Sequence, residues 1–131
     1  MKGLSYTSKK LNKGTYYKLL VVALNSEGQT IATSKVIHIT TKGSKTGNIK
    51  KIKLNKKSIT LKKKKSYKLK AKVTKDSKKI KTHRGVTYES ANPKIATVSK
   101  SGKITAKKKG KTTIYAYAQN GVSAKVIVKV K

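Results

Sequence analysis

The side chains that could perform chemistry in this sequence are few and scattered. Its acidic residues are Glu27, Asp76 and Glu89, and its histidines are His38 and His83. Acid–base catalysis and a calcium or magnesium site both require carboxylates that can be brought together, and three isolated acids provide little for either. The absence of cysteine excludes disulfide bonds, Cys-ligated zinc and a thiol nucleophile. We therefore expect no enzymatic activity and no cofactor.

The two histidines do not predict a metal site. His38 and His83 are far apart in sequence and have no carboxylate or cysteine companions, whereas a stable site usually needs three or four ligands. A Ser–His–Asp arrangement would have to recruit Asp76 from a lysine-rich turn, and the sequence contains no nucleophile-elbow motif. Hydrolytic chemistry of that kind is not expected.

Positive charge dominates the composition. The 131 residues include 35 Lys+Arg against 3 Asp+Glu, which gives a formal net charge of +32, and Arg84 is the only arginine. Lysine is a hydrated point charge, whereas arginine presents a planar fork suited to phosphates and bases. The sequence therefore predicts a surface that attracts polyanions in general, without specific recognition of nucleic acid.

The lysines must be positioned by strands. From Tyr67 to Val73 they alternate strictly with apolar residues, and this period of two indicates one buried and one exposed face. No amphipathic helix is indicated, and the longest apolar run, residues 19–24, is too short for a membrane span or a signal peptide. Strand-like runs are predicted at residues 15–24, 30–40, 49–54, 58–61, 66–74, 86–89, 95–99, 103–106, 112–118 and 122–130.

Turn signals separate these runs. Residues 25–28 join the first two runs into a predicted hairpin, and Asn120 and Gly121 give the strongest hairpin signal, between the last two. Residues 42–48 are small and polar with two glycines, and they form the predicted linker. Many short strands at this spacing predict an all-β fold, an antiparallel sandwich. One face of the final hairpin is the predicted core: Thr112, Ile114, Ala116, Ala118, Val122, Ala124, Val126, Val128 and Val130.

Residues 49–131 resemble the bacterial Ig-like domain, group 2. The resemblance rests on the segment from Ser90 to Ser99, which has the pattern S-x-N-P-x-I-A-T-V-S, and on the glycine-led segments that begin at Gly102 and Gly110. It implies an immunoglobulin-like β-sandwich. The sequence departs from the family at Tyr88, where tryptophan is usual, and at Lys64–Lys65, where glycine commonly precedes the next strand.

Residues 1–41 resemble the C-terminal part of a fibronectin type III domain. Leu11, Gly14 and Tyr17 have the L-x-x-G-x-x-Y spacing of that family's tyrosine corner, and Lys13 stands where proline is frequent. A whole domain of this type needs about 90–100 residues, so the chain is expected to begin within a domain of a longer protein.

A segment this short is expected to be marginally stable alone. Both of its predicted faces are apolar between residues 16 and 24. We therefore expect residues 1–41 to be disordered, to pack against the following domain, or to self-associate with another copy through residues 16–24.

Two sets of residues are candidate binding surfaces. Aromatic and apolar side chains flanked by lysines on the outer face of the final hairpin could stack on sugars or unpaired bases, although cross-strand packing on an ordinary solvated sheet is the preferred interpretation of these residues. This set comprises Tyr115, Tyr117, Ile127, Lys111, Lys125 and Lys129. The run Lys62, Lys63, Lys64 and Lys65 could contact a polyanion, and its alternative interpretation is a solvated turn.

The resemblances imply a non-enzymatic module of an exported bacterial cell-surface protein that acts as a spacer or adhesion unit. Its polycationic surface would hold an anionic cell-wall polymer or a host polyanion by releasing counterions. Two alternatives remain open: an accessory carbohydrate-binding module of a larger surface hydrolase, supported by Tyr115 and Tyr117, and non-specific nucleic-acid binding, supported by charge alone.

Overall fold

The computed structural model describes residues 5–77, 81–82 and 84–131, and all regular secondary structure in these residues is β-strand. The first four strands are β1 (Tyr16–Leu19), β2 (Val22–Leu24), β3 (Thr30–Thr33) and β4 (Ile37–Thr40). The others are β5 (Thr46–Gly47), β6 (Ile49–Leu54), β7 (Ser58–Leu61), β8 (Ser66–Lys68), β9 (Ala71–Lys75), β10 (Lys81–Thr82), β11 (Thr87–Ser90), β12 (Ala96–Val98), β13 (Lys103–Ala106), β14 (Gly110–Tyr117) and β15 (Ser123–Val130).

The N-terminal strands form the predicted hairpin, but both of its arms are interrupted. β1 pairs with β4 and β2 pairs with β3, each antiparallel. Between these pairs, the Val21 N–H donates to Ser34 Oγ at 2.9 Å, and the Ser34 N–H donates to the Val21 carbonyl at 2.8 Å. Because a side chain replaces one backbone partner, the run predicted at residues 15–24 is divided into two strands.

Tyr17 holds the segment that precedes β1. Its hydroxyl oxygen accepts a hydrogen bond from the Asn12 N–H at 2.8 Å. The Thr41 hydroxyl donates to the Asn12 carbonyl at 2.6 Å. The Thr15 N–H donates to Thr41 Oγ1 at 2.9 Å. Residues 12–15 are therefore fixed against the end of β4.

Residues 49–131 form an immunoglobulin-like β-sandwich of two layers. The first layer has the strand order β11-β14-β15-β7, and the second has the order β12-β13-β8. β9 follows β8 after a break at residues 69–70, where the N–H of buried Leu69 donates to the Gly102 carbonyl at 2.9 Å. Since β9 pairs with β6, these two strands extend the second layer, and the run predicted at residues 66–74 is divided at this break.

The pairing within the sandwich is antiparallel except at one edge, where β7 lies parallel to β15. β6 belongs to the second layer and β7 to the first, so the chain crosses between the layers at residues 55–57 and brings β7 alongside the last strand. The predicted antiparallel sandwich is confirmed, and this parallel edge is the exception to it.

Apolar side chains from both layers meet in the core. Ile104 and Leu69 of the second layer and Ile114, Val126 and Val128 of the first are almost fully buried. Each buried side chain of this size stabilises the fold by about 1.5–3 kcal/mol. The predicted core face of the final hairpin is confirmed, although two of its members, Val122 and Ala124, are only partly buried.

The N-terminal hairpin packs against the sandwich. The His38 N–H donates to the Gln119 carbonyl at 2.7 Å. Asn48 Oδ1 accepts from the Thr40 N–H at 3.0 Å, and Asn48 Nδ2 donates to the Thr40 carbonyl at 2.8 Å. Of the three states expected for residues 1–41, the described residues adopt packing on the following domain.

The predicted linker, residues 42–48, is itself held in place. It contains β5, which pairs in parallel with β10, and both Ser44 and Gly47 are buried. An ideal Cβ on Gly47 would lie 2.3 Å from Asp76 Oδ1, so a larger residue at position 47 would require the Asp76 side chain to move. The sequence did not predict this pairing, because each of the two strands is only two residues long.

Candidate functional site

The six residues predicted on the outer face of the final hairpin lie together on one surface, which we call the aromatic face (Tyr115, Tyr117, Ile127, Lys111, Lys125 and Lys129). In the β14–β15 register, Tyr115 is opposite Lys125 and Lys111 is opposite Lys129. Ile127 is opposite Thr113 and is 38% exposed. The alternation of exposed and buried residues in β15 directs the lysines outward.

The two aromatic rings are stacked on one another and partly covered. The ring centroids of Tyr115 and Tyr117 are 5.7 Å apart with an interplanar angle of 21°. Lys35 Nζ lies 5.1 Å from the centroid of the Tyr117 ring, a cation–π contact. The two rings therefore pack on each other along β14, and Tyr115 lies opposite Lys125. Binding of sugars or unpaired bases to this face stays a prediction.

An ion pair joins the hairpin to this face. Lys35 Nζ contacts Glu89 Oε2, and in the β11–β14 register Glu89 is opposite Tyr115. The hydrogen bond that the Lys35 ammonium donates to the Glu89 carboxylate raises the pKa of Lys35. Both side chains are largely exposed, so the pair contributes at most about 1 kcal/mol to stability. Its main consequence is that a carboxylate lies on the aromatic face.

Sequence reasoning did not identify Lys35 or Glu89 as part of this surface. The two residues are 54 positions apart, and neither has a local pattern that distinguishes it from other charged residues. Only the packing of the hairpin on the first layer brings them together.

The lysine run predicted as a second surface forms the turn between β7 and β8. The Lys65 N–H donates to the Lys62 carbonyl at 3.1 Å, and the Lys64 N–H donates to the Ala106 carbonyl at 2.9 Å. All four side chains, including that of Lys63, are exposed. Lys64 has a φ of 68°, the left-handed region that favours glycine, at the position where the family commonly has glycine. The geometry is that of a solvated turn, and its contact with polyanions stays a prediction.

The remaining titratable residues are dispersed. Asp76 Oδ2 accepts from the Asn48 N–H at 3.2 Å and so has a structural partner, while His83 lies outside the described residues. Across residues 5–77, 81–82 and 84–131, no three His, Asp or Glu side chains come close enough to hold a metal ion. The same part of the chain has no helix with the length and apolar character to cross a bilayer.

Tyr88 occupies the position where the family usually has tryptophan. Its half-buried ring packs against both core clusters, namely the core between the layers and a smaller cluster formed by Ile49, Ile52, Ala116 and Ala118. An ideal Cβ on Gly102 would lie 3.1 Å from this ring. Burial raises the pKa of the Tyr88 phenol, since the protein interior disfavours the charged form. Tyr88 therefore acts as a packing residue of the sandwich.

A cleft of about 1070 Å³ separates the hairpin from the first layer. On the hairpin side it is lined by residues 19–22, which include Leu20 and Val21 at 44% and 58% exposure. On the other side it is lined by residues of β11 and β14. Among the described lining residues the one carboxylate is that of Glu89, which already contacts Lys35. The described lining also includes the polar side chains of His38 and Arg84, beside its apolar residues.

Comparison with known proteins agrees with this architecture. The model of the bacterial Ig-like domain (group 2) family matches residues 48–130, more than half of the chain. No curated protein matches the sequence.

Solved structures with a similar fold include surface proteins. The S-layer protein SbsC, residues 31–844, aligns with a TM-score of 0.55 and 19% identity over 95% of this chain and 21% of that chain. Domains 1–6 of SbsC align with a TM-score of 0.54 and 19% identity over 88% of this chain and 20% of that one. An intimin mutant of EHEC O157:H7 aligns at 22% identity with a TM-score of 0.49 over 62% of this chain and 46% of its own. The chain thus spans less than half of each of these structures, and at such identities the two S-layer alignments establish the fold alone.

Proposed function

Because the chain belongs to the bacterial Ig-like domain (group 2) family, we propose that it is a non-enzymatic module of a longer, exported bacterial cell-surface protein. In this role it acts as a spacer or adhesion unit outside the cell. The similarity in fold to S-layer protein SbsC supports the surface location. A packed two-layer sandwich without a catalytic cluster among its described residues is well suited to carrying load or presenting a surface.

The positive charge of the folded surface is the observation that supports a binding function. With 35 basic and 3 acidic residues, and with lysines exposed on both layers, the domain presents a positive field in most directions. We propose that this surface holds an anionic cell-wall polymer or a host polyanion. Attraction of this kind gains free energy from counterion release and weakens steeply with salt.

We also propose that residues 1–41 correspond to the C-terminal part of a fibronectin type III domain and that residues 49–131 are the Ig-like domain. The hydrogen bond from the Asn12 N–H to the Tyr17 hydroxyl supports the first assignment. It has the form of a tyrosine corner, in which the phenol bonds to backbone a few residues upstream. The antiparallel pairing of β1 with β4 is consistent with the last two strands of such a domain.

A second candidate function is that of a carbohydrate-binding module of a larger surface hydrolase. The stacked pair Tyr115 and Tyr117 favours it, since aromatic rings bind the apolar faces of sugars. Lys35 over the Tyr117 ring weakens it, because a sugar would have to displace that contact. Non-specific nucleic-acid binding has only the charge in its favour.

One binding series separates these functions. The full chain is titrated with teichoic acid, duplex DNA and a neutral polysaccharide at several salt concentrations, and affinity is measured by calorimetry. We expect salt-sensitive binding to teichoic acid and DNA alike and no binding to the neutral polymer. Preference for DNA that resists salt would favour the nucleic-acid function.

The aromatic face is tested in the same series. Salt-resistant binding of the neutral polysaccharide, lost in Tyr117→Ala and retained in the control Tyr16→Ala, would favour the carbohydrate-binding module. Tyr16 is a suitable control because it lies on β1, is 48% exposed and is not part of the aromatic face. Absence of binding to every polymer at low salt would leave only the spacer role.

A further inference from the structure

A band of lysines crosses the outer surface of the second layer, away from the aromatic face and the Lys62–Lys65 turn. We call it the lysine band; it consists of Lys53, Lys68, Lys70, Lys72 and Lys103, and all five side chains are exposed. Lys68, Lys70 and Lys72 alternate with buried Leu69 and half-buried Ala71. They therefore point to the same side of the sheet.

Strand register places lysines of the band directly opposite one another. Lys68 on β8 is opposite Lys103 on β13, and Lys72 on β9 is opposite Lys53 on β6. Cβ atoms of opposed residues are about 4.5–5.5 Å apart, and like charges in such positions repel. An anion between the two ammonium groups of a pair would interact favourably with both and relieve their repulsion.

The two opposed pairs have a spacing suited to a polymer. Lys68 ends β8 and Lys72 lies on β9, with Lys70 between them; four residues of extended chain span at most about 13 Å. Charged groups repeated along a flexible chain can therefore meet the first pair, Lys70 and the second pair in turn.

No carboxylate offsets this charge within the layer. The strands β6, β8, β9, β12 and β13 contain neither Asp nor Glu. The next acidic residue after β9 is Asp76, and its carboxylate accepts a hydrogen bond from the Asn48 N–H. The aromatic face differs, since it has one opposed pair, Lys111 and Lys129, and the carboxylate of Glu89 lies in the neighbouring strand.

We propose that the lysine band is the principal polyanion-binding surface of this chain and that its ligand is a flexible polymer with repeated phosphodiester groups. This inference rests on the proposed function, that the surface holds anionic polymers, and assigns a place and a ligand class to it. A lysine ammonium group binds an anion without a fixed orientation, so a phosphate group needs only to come close to the two ammonium groups of a pair. A flexible chain can follow the twist of the sheet, whereas duplex DNA is stiff over about 150 base pairs.

The test compares two variants that lose the same charge. The band variant combines Lys53→Gln, Lys68→Gln, Lys72→Gln and Lys103→Gln. The control combines Lys111→Gln, Lys125→Gln, Lys129→Gln and Lys131→Gln, all exposed and on or next to the aromatic face. Binding of the full chain to fluorescent poly(glycerol phosphate) is measured by anisotropy between 25 and about 200 mM NaCl, a range over which phosphate contacts weaken strongly. Duplex DNA of equal total charge is measured in parallel.

We expect the band variant to bind poly(glycerol phosphate) at least about tenfold more weakly, and the slope of log affinity against log salt to decrease by about 3, at roughly 0.7 per lost contact. The control variant should lose less than about threefold. Duplex DNA should bind the wild-type chain more weakly than poly(glycerol phosphate) does, because the stiff duplex cannot follow the twisted sheet as a flexible polymer can. Equal losses in the two variants would overturn the assignment to the band while leaving the proposed function intact. Tighter binding of duplex DNA would overturn the ligand class.

Failure of the proposed function has a different signature, because then the wild-type chain would bind no polyanion even at 25 mM NaCl. Thermal unfolding of each variant checks the fold, and we expect the band variant to be at least as stable as wild type, since it loses two like-charge pairs. Should the fourfold variant fail to fold, Lys53→Gln with Lys103→Gln removes one member of each pair. Its matched control is Lys111→Gln with Lys125→Gln. A larger loss of poly(glycerol phosphate) affinity in the band double variant than in this control would support the assignment, and equal losses would overturn it.

Discussion

Gly102 lies where the surrounding structure leaves no room for a side chain. Its φ is +82°, and an ideal Cβ would be 2.7 Å from the Leu69 carbonyl oxygen as well as 3.1 Å from the Tyr88 ring. Both neighbours are fixed parts of the sandwich, since Leu69 lies in the break between β8 and β9 and Tyr88 packs against both core clusters. Backbone conformation and packing thus both require glycine here.

Gly102→Ala should lower the free energy of unfolding by about 2–3 kcal/mol, as is usual when backbone strain is combined with a steric clash. The matched control is Gly121→Ala, whose φ of +88° is similar but whose nearest neighbour, Ile37 Cγ2, lies at an ordinary 3.4 Å. The control should cost about 1–2 kcal/mol, the penalty of the left-handed conformation alone. Urea unfolding followed by circular dichroism measures both, and equal losses would show that the contacts of Gly102 are unimportant.

At the scale of strands, the sandwich places several lysines in opposition. Besides the two pairs of the lysine band, Lys111 faces Lys129 between β14 and β15. Such pairs do not prevent folding, because the side chains are exposed and solvent screens their charges, while the buried faces of the same strands supply the packing energy. Each like-charge pair nevertheless lowers the stability of the fold, and replacing one lysine of the pair by an acidic residue should reverse that loss.

Lys53→Glu should stabilise the sandwich by about 0.5–1 kcal/mol at low salt, since it converts the pair with Lys72 into an ion pair. The control is Lys50→Glu on the same strand. Lys50 lies at the register shift between Ile49 and Lys51 and has no residue directly opposite it. The gain in stability for Lys50→Glu should be smaller, because this substitution lowers the net charge but forms no cross-strand ion pair. Thermal unfolding at low salt and at about 1 M salt, where screening acts within about 3 Å, should show the difference only at low salt. A difference that persists at high salt would contradict the electrostatic explanation.

At the scale of the whole molecule, apolar exposure and net charge act in opposite directions. Exposed large apolar residues of the hairpin include Leu19, Leu20, Val21, Val22 and Leu24, all between 42% and 58% exposed. An apolar patch favours association, but each copy carries a formal charge of +32. Repulsion between copies extends over about 30 Å at 0.01 M salt and about 3 Å at 1 M.

Self-association through residues 16–24 is therefore predicted to increase with salt, the reverse of the salt dependence of polyanion binding. Sedimentation velocity of the full chain should give a monomer at low salt and a growing dimer fraction as salt is raised. Leu20→Lys should abolish the dimer, whereas Leu11→Lys should retain it, because Leu11 has a similar exposure, 43% against 44%, but lies outside the segment. A monomer at every salt concentration, or an equal effect of both substitutions, would contradict this prediction.

Much of the sandwich could be predicted from local pattern. The runs at residues 49–54, 58–61 and 103–106 coincide with β6, β7 and β13, and the hairpin at Asn120 and Gly121 is present, with the Gly121 N–H donating to the Ala118 carbonyl at 3.1 Å. These predictions succeeded because alternation of side chains and turn chemistry act within a few residues. The breaks after Leu19 and at Leu69 were missed, since they depend on partners from distant strands.

The sequence by itself determined which side of β14 and of β15 faces the core and that their lysines lie outside, because burial of apolar residues follows a period of two. The six residues of the aromatic face were identified in the same way. Only the tertiary structure decided which lysines oppose one another and that Lys35 reaches Glu89. Register across strands and the docking of the hairpin are set by pairings between residues far apart in the chain, and no local pattern encodes them.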